Sequence, residues 1–297
     1  ERVVEIPLHR SRAGHLFVYA SVEGGEPAAF LLDTGAPRSS ITPRVLETLG
    51  RMGEPGRAGL TIGVGGRTQT VPLLELERIV IGPIEHRALE VDVLDAASLA
   101  DDLPGEAVGG ILGMNFLTRH DVVVDLSRDL LRLFPPGEME RLAGAHLAGL
   151  QPVDIVERYA RWGVFFHARI DGGPAVLAKL DLGAAFSTLN RAAAEDAGLE
   201  LDEHEALESR LAIGTDDRPI QCRLYRFEEL DIGALVVQRP ALMVCDLLQD
   251  LEQRIPLVLL GLDLLADREL LFLFSDHRLY ISPRRPVSEV EPSRATR

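Results

Sequence analysis

The chain repeats itself at a nearly fixed spacing. Asp33-Thr34-Gly35-Ala36 is answered by Asp181-Leu182-Gly183-Ala184, 148 residues on (181 − 33). Leu112-Gly113-Met114-Asn115-Phe116-Leu117 is answered by Leu260-Gly261-Leu262-Asp263-Leu264-Leu265 at the same offset. Between these anchors the offset widens to 151 (214 − 63), where Leu60-Thr61-Ile62-Gly63 aligns with Leu211-Ala212-Ile213-Gly214. It keeps that value at Ile81-Gly82 against Ile232-Gly233 and at Val93-Leu94-Asp95 against Val244-Cys245-Asp246, then recovers. Loops change length at small entropic cost, whereas a strand that slips by one residue turns its apolar face to solvent. Compensating loop changes around fixed apolar runs therefore describe a duplicated β domain: two like lobes, each carrying one Asp-x-Gly segment. The mismatch inside that segment is Thr34 against Leu182.

Each Asp-x-Gly segment follows a strand-like run, Ala29-Phe30-Leu31-Leu32 or Val176-Leu177-Ala178-Lys179-Leu180, and precedes Ser39-Ser40-Ile41-Thr42 or Ser187-Thr188-Leu189-Asn190. Thr42 and Asn190 are N-cap residues for helices that begin at Pro43 and Arg191. Asn115 and Asp263 read as the starts of further short helices. The remainder is many short strands between Gly, Pro and Asp turns, which makes the expected class all-β with short helices. The expected organisation is an N-terminal lobe over 1–137, a helical linker over 138–150, a C-terminal lobe over 151–285 and a polar tail over 286–297. A chain of 297 residues, 46% hydrophobic, is long enough for two cores of about 140 residues each.

Several function classes recede on composition. Net charge is −15 and the pI about 5.0, whereas a nucleic-acid partner needs a concentrated basic surface. The longest apolar stretch, 255–274, is broken by Asp263, Asp267, Arg268 and Glu269, so no membrane span is expected. The eight histidines lack His-Glu-x-x-His or His-x-His spacing, and there is no Cys-x-x-Cys. No metal or other cofactor is expected. Cys222 and Cys245 suit either a disulfide in an oxidising compartment or two buried thiols. The chain begins at Glu1 rather than Met, which suggests a removed leader and favours a periplasmic or secreted location over a cytoplasmic one.

With the strand-borne Asp33-Thr34-Gly35-Ala36, the tip Ile62-Gly63-Val64-Gly65-Gly66 and the segment Ile111-Leu112-Gly113-Met114-Asn115 in hand, the chain resembles the aspartic protease clan in its retropepsin-like and pepsin-like branches. The resemblance spans roughly 3–136 and 151–283. It implies a two-lobed acid-protease fold built from two retropepsin-like β lobes in a single chain, similar to bacterial members of the clan. Each lobe would carry one catalytic Asp on a loop crossed by the apolar-apolar-Gly strand. The implied activity is peptide-bond hydrolysis by a monomer, with a polypeptide as partner and substrate.

The chemistry asks for two carboxylates sharing one proton. Like charges about 3 Å apart cannot both ionise, so one takes a proton from water while the other donates toward the scissile carbonyl, as is established for this clan. Asp33 and Asp181 are the expected pair, supported by the loop residues Thr34, Gly35, Ala36, Leu182, Gly183 and Ala184. Gly63, Val64, Gly65 and Gly66 are the expected flap over substrate, although a Gly-rich hairpin turn has the same composition. The charged second tip, Thr215-Asp216-Asp217-Arg218, is expected to be a surface hairpin. In the clan, the Thr after each Asp donates a hydrogen bond across to the other lobe; Thr34 can do so and Leu182 cannot. A lost bond costs about 0.5–1.5 kcal/mol net, or about 1–3 with a buried partner left unsatisfied. A displacement near 1 Å at the reacting groups costs about 100-fold in rate. The alternative expectation is thus a non-catalytic peptide-binding pseudoprotease with a degenerate second lobe. A further one has two chains pairing their Asp33 lobes.

Overall fold

In the computed structural model, residues 3–52, 57–63, 66–95, 99, 102–139, 141, 147–148, 150–199, 201, 206–213, 219–248 and 255–284 are described. Three sheets account for the architecture. One of eight strands is drawn from the first half of the chain, one of nine from the second, and a six-stranded sheet takes three strands from each.

The six-stranded sheet runs Val4–Pro7, Leu130–Phe134, Asp121–Asp125, Glu269–Leu273, Arg278–Ile281, Pro152–Asp154, antiparallel throughout. At its centre Asp121–Asp125 pairs with Glu269–Leu273, and Val123 lies opposite Leu271. Those two residues are equivalents in the repeat, so the two halves are joined by a strand pairing antiparallel with its own copy. That places an approximate two-fold axis through the Val123–Leu271 pair. Both central strands are buried along their whole length. A strand covered on both faces reads as a continuous apolar run, as Val122-Val123-Val124 and Leu270-Leu271-Phe272-Leu273 do. Met139 is buried with Val123, Phe134, Leu271, Leu273 and Tyr280, with Leu147 and Leu150 packed against them. The segment between the halves therefore covers one face of this sheet; residues 140, 142–146 and 149 of the expected helical linker lie outside the described residues. The expected tail, 286–297, does so too.

Charged side chains join the halves as well. Asp121 accepts hydrogen bonds from Ser275 N–H at 3.0 Å and from Gly137 N–H at 2.9 Å. Arg132 bridges Glu5 at 2.9 Å, Glu269 at 3.1 Å and Asp125 at 3.8 Å. Burial opposes the Arg132 charge, but its hydrogen bonds to Glu5 and Glu269 hold the guanidinium pKa above its ordinary value.

Within each lobe the strands cross in the same ψ-shaped way. Ala28–Leu32 runs parallel to Val108–Leu112, which pairs antiparallel with Ser39–Ile41, itself parallel to Ile84–Val93. In the second lobe Val176–Leu180, Val258–Leu260, Thr188–Asn190 and Ala241–Cys245 repeat those relations. Helices follow at Pro43–Thr48 and Arg191–Asp196, capped as expected: Thr42 accepts from Val45 N–H and Asn190 from Ala193 N–H. The helices near Asn115 and Asp263 begin one residue earlier than expected, at Met114 and Leu262, behind glycine caps that make no side-chain bond.

Cys222 and Cys245 sit opposite each other on Pro219–Arg226 and Ala241–Cys245 and form a disulfide, which resolves the open sequence reading. Without reductant, the unfolded protein should therefore titrate no free thiol. The Cys222→Ser/Cys245→Ser variant should lose about 2–4 kcal/mol of stability in urea denaturation, because the cross-link restricts the unfolded chain.

Candidate active site

The two Asp-x-Gly loops are built alike. Asp33 N–H donates to Leu112 O at 3.0 Å, and Asp181 N–H to Leu260 O at 3.0 Å. Each crossing strand thereby holds the start of its loop. Met114 N–H closes on Ala36 O at 2.8 Å and Leu262 N–H on Ala184 O at 3.0 Å. Ser39 donates both its N–H and its hydroxyl to Asn115 Oδ1 at 2.8 Å while accepting from Gly113 N–H. Ser187, Asp263 and Gly261 repeat this network. Asn115 and Asp263, in the first turns of their short helices, thus also act as loop fasteners through their side-chain oxygens. Asn115 also donates to Glu90 O at 2.7 Å.

These loops bring Asp33 and Asp181 together. A Cβ on Gly35 would lie 2.5 Å from Asp181 Oδ2, and one on Gly183 would lie 2.6 Å from Asp33 Cγ. Each loop glycine thus packs against the opposite carboxylate, and any side chain at either position would drive the pair apart. Asp33 Oδ1 accepts from Gly35 N–H at 2.6 Å and Ala36 N–H at 3.1 Å; Asp181 Oδ1 accepts from Gly183 N–H at 2.9 Å. Burial, reinforced by the neighbouring charge of Asp181, pushes the Asp33 carboxyl up to about 8, against a downward pull from Lys179 and Gly35 N–H.

Thr34 ties the lobes beneath the carboxylates. Its hydroxyl donates to Leu180 O at 2.9 Å and accepts from Leu182 N–H at 3.0 Å. Both Thr34 and Leu182 are 1% exposed. Leu182 fills its side of the seam with apolar surface and returns no side-chain hydrogen bond. From that same lobe Lys179, on the strand leading to Asp181, donates its ammonium to Gly35 O at 2.6 Å. Its Nζ also lies 5.3 Å from the centre of the Phe165 ring.

The first lobe's hairpin, Arg57–Ile62 with Thr68–Ile81, closes through Gly63 N–H to Arg67 O and Gly66 N–H to Gly63 O. Val64 and Gly65 lie outside the described residues, as does the second tip, 214–218. Arg38, just beyond the Asp33 loop, binds Asp92 at 3.0 Å and donates to Leu60 O at 3.2 Å, fastening hairpin to loop. Leu60 and Ile62 are 65% and 52% exposed. Phe186, on the second loop, and Trp162, next to Gly163 in sequence, are exposed too. Arg38 and Lys179 were passed over by sequence reasoning. The signal for Lys179 was a lone charge in an apolar strand whose counterpart is Leu31; Arg38 had none, because its partners are distant in sequence.

Replacing Thr34 by Ala should leave Leu182 N–H buried without its partner, remove one bond from Leu180 O, and cost about 1–3 kcal/mol in urea denaturation, with Thr34→Ser largely restoring it. The Asp33 carboxyl also sets a pH dependence. Its native pKa near 8 lies above the ordinary 3.8, so between those values the native state holds a proton that the unfolded chain has released. This contribution to stability is complete below about pH 4 and is lost as pH rises through about 8. Unfolding free energies measured across that window should fall for wild type relative to Asp33→Asn, which lacks the titration.

The sequence profile described as Aspartyl protease matches residues 18–116 and again 166–264, two blocks separated by the repeat's own offset. A sequence search of curated proteins returns no match. Among solved structures, a retropepsin-like aspartic protease from Rickettsia conorii is 26% identical over 44% of this chain and 91% of that one, with a TM-score of 0.35. Conglutin gamma from lupine seeds is 13% identical, with 95% of each chain covered and a TM-score of 0.54. Basic 7S globulin from soybean is 11% identical, again with 95% of each covered and a TM-score of 0.53. Those two share the two-lobed fold. With its profile matched once in each lobe, the chain belongs to the aspartyl protease family.

Proposed function

We propose that the protein is an aspartic endopeptidase that hydrolyses polypeptides in the cleft between its lobes, using Asp33 and Asp181 as the reacting pair. The observation that carries this reading is the mutual packing of each loop glycine on the opposite carboxylate. Two carboxyl groups held that closely share a proton, and burial favours keeping it on Asp33 up to about pH 8. Asp181 is then the anion that takes a proton from water, and Asp33 the acid that donates toward the carbonyl oxygen of the scissile bond. The tetrahedral intermediate collapses as Asp181 passes the proton it took from water to the leaving amine and Asp33 recovers its proton from the diol oxygen as the carbonyl re-forms.

Extended substrate would lie beneath the Gly63–Gly66 hairpin, whose closure excludes water. The exposed side chains of Leu60, Ile62, Phe186 and Trp162 offer apolar surface for its residues. The chain supplies both carboxylates, which favours a monomer over a pair of chains joined through Asp33. The acidic net charge disfavours nucleic acid as a partner. Among the described residues no helix is long and apolar enough to cross a membrane.

The rival reading, a peptide-binding pseudoprotease, rests on Leu182. Incubation with an unfolded polypeptide across pH 3–8 separates the two. Asp33→Asn and Asp181→Asn should each lower cleavage by about 10²–10⁴-fold or more while leaving the fold intact by circular dichroism. A wild-type protein that binds the polypeptide but never cuts it would favour the pseudoprotease. Loss on Asp33→Asn alone would favour paired chains.

A further inference from the structure

Lys179 is an ionisable group that the hydrolytic scheme does not use, and it is found in one lobe only. In the first lobe the equivalent position is Leu31, buried with Phe17, Ala29 and Ile111 and paired across the ladder with Phe17. In the second lobe Lys179 is paired across the ladder with Phe165, the counterpart of Phe17. The ring is kept and the aliphatic partner has become a cation lying over it. From there the ammonium crosses the seam to Gly35 O, within the other lobe's Asp-x-Gly loop.

Room for this crossing is made by Gly163. A Cβ there would lie 2.5 Å from Lys179 Cε and 3.0 Å from Thr34 O. Its backbone, at φ +143°, is also one that a side chain would disfavour. Burial pulls the Lys179 pKa below its ordinary value, and the charges that oppose this pull are those of Asp181 and Asp33. Of the elements packed around it, Tyr159 on the 3₁₀ helix Glu157–Trp162 turns to the Phe165 ring. Along the facing strand, His167 is exposed, and the parallel neighbour is Leu259. The lysine charge therefore has the carboxylate pair as its principal counterpart.

We propose that Lys179 is a positioning residue for the carboxylate pair. Its ammonium supplies the second cross-lobe fastening that Leu182 cannot make, and its charge holds the pair in the singly ionised form at lower pH than two carboxyl groups alone would allow. The inference rests on the dyad reading given above and extends it. It also accounts for the unequal tetrapeptides. Thr34 fastens from the first lobe with a hydroxyl, and Lys179 fastens from the second with a cation placed two residues before the aspartate.

The test is a carboxyl-carbon NMR titration of Asp33 and Asp181 in the intact protein, which needs no activity. A nearby opposite charge lowers a carboxyl pKa by about 1–3 units, so in Lys179→Met the midpoint should rise by that amount. In Lys179→Arg, which keeps the charge, it should stay near wild type. An unmoved midpoint in a folded Lys179→Met protein, or an equal rise in Lys179→Arg, overturns the electrostatic part. With a cleavable polypeptide, both limbs of the Lys179→Met kcat/KM profile should move to higher pH and the rate at the optimum should fall. Adding Leu182→Thr should recover that rate while leaving the limbs displaced. No recovery overturns the fastening part. A wild-type protein that cleaves nothing defeats the proposed activity, and the titration still decides the role of Lys179.

Discussion

The pairing of Asp121–Asp125 with Glu269–Leu273 is the constraint from which the rest of the molecule follows. An antiparallel ladder between a strand and its own copy can be formed only around a two-fold axis, and register fixes where that axis falls. With Val123 opposite Leu271, every other pair of equivalent residues is carried to opposite sides of one line. The Asp-x-Gly loops meet across it because they occupy equivalent places in the two lobes. A slip of one residue would turn the apolar side chains over and move the axis with them. Arg132, Glu269 and Asp121 lie beside this ladder and add charge-assisted bonds between the halves that such a slip would break.

The two loops approach by symmetry but are not furnished alike. The fasteners Ser39–Asn115 and Ser187–Asp263 hold the loops in matching shapes. The contacts beneath the carboxylates do not match. Asp33 has two loop amides on a single oxygen, where one is recorded for Asp181, and Thr34 reaches over while Leu182 packs. The two carboxyl groups therefore sit in different surroundings, with the amides favouring the Asp33 anion and burial opposing it.

The two-lobed, duplicated β fold was legible in the sequence because duplication leaves an offset that counting reveals. The capped helices were legible too, since Thr42 and Asn190 act on their own next turn. What stayed hidden was what depends on residues distant in the chain. Asn115 reads only as a helix start until Ser39, 76 residues away, is found on its side-chain oxygen. Lys179 reads as one polar residue in an apolar strand until Gly35, 144 residues away, is found beside its ammonium. Arg38 carries no local pattern at all, and only the fold brings Asp92 and Leu60 to it.

Lys179 has a consequence for how such a site can be assembled. Two identical subunits must present every residue twice, so a lysine at this place would bring a second ammonium to the same small space and replace the apolar packing that Leu31 makes with Phe17. Covalent fusion of the lobes removes that obligation. One lobe can keep its hydrocarbon packing while the other takes on a charge, and a single cation beside two carboxyl groups becomes an arrangement that a homodimer of the same lobe could not reach.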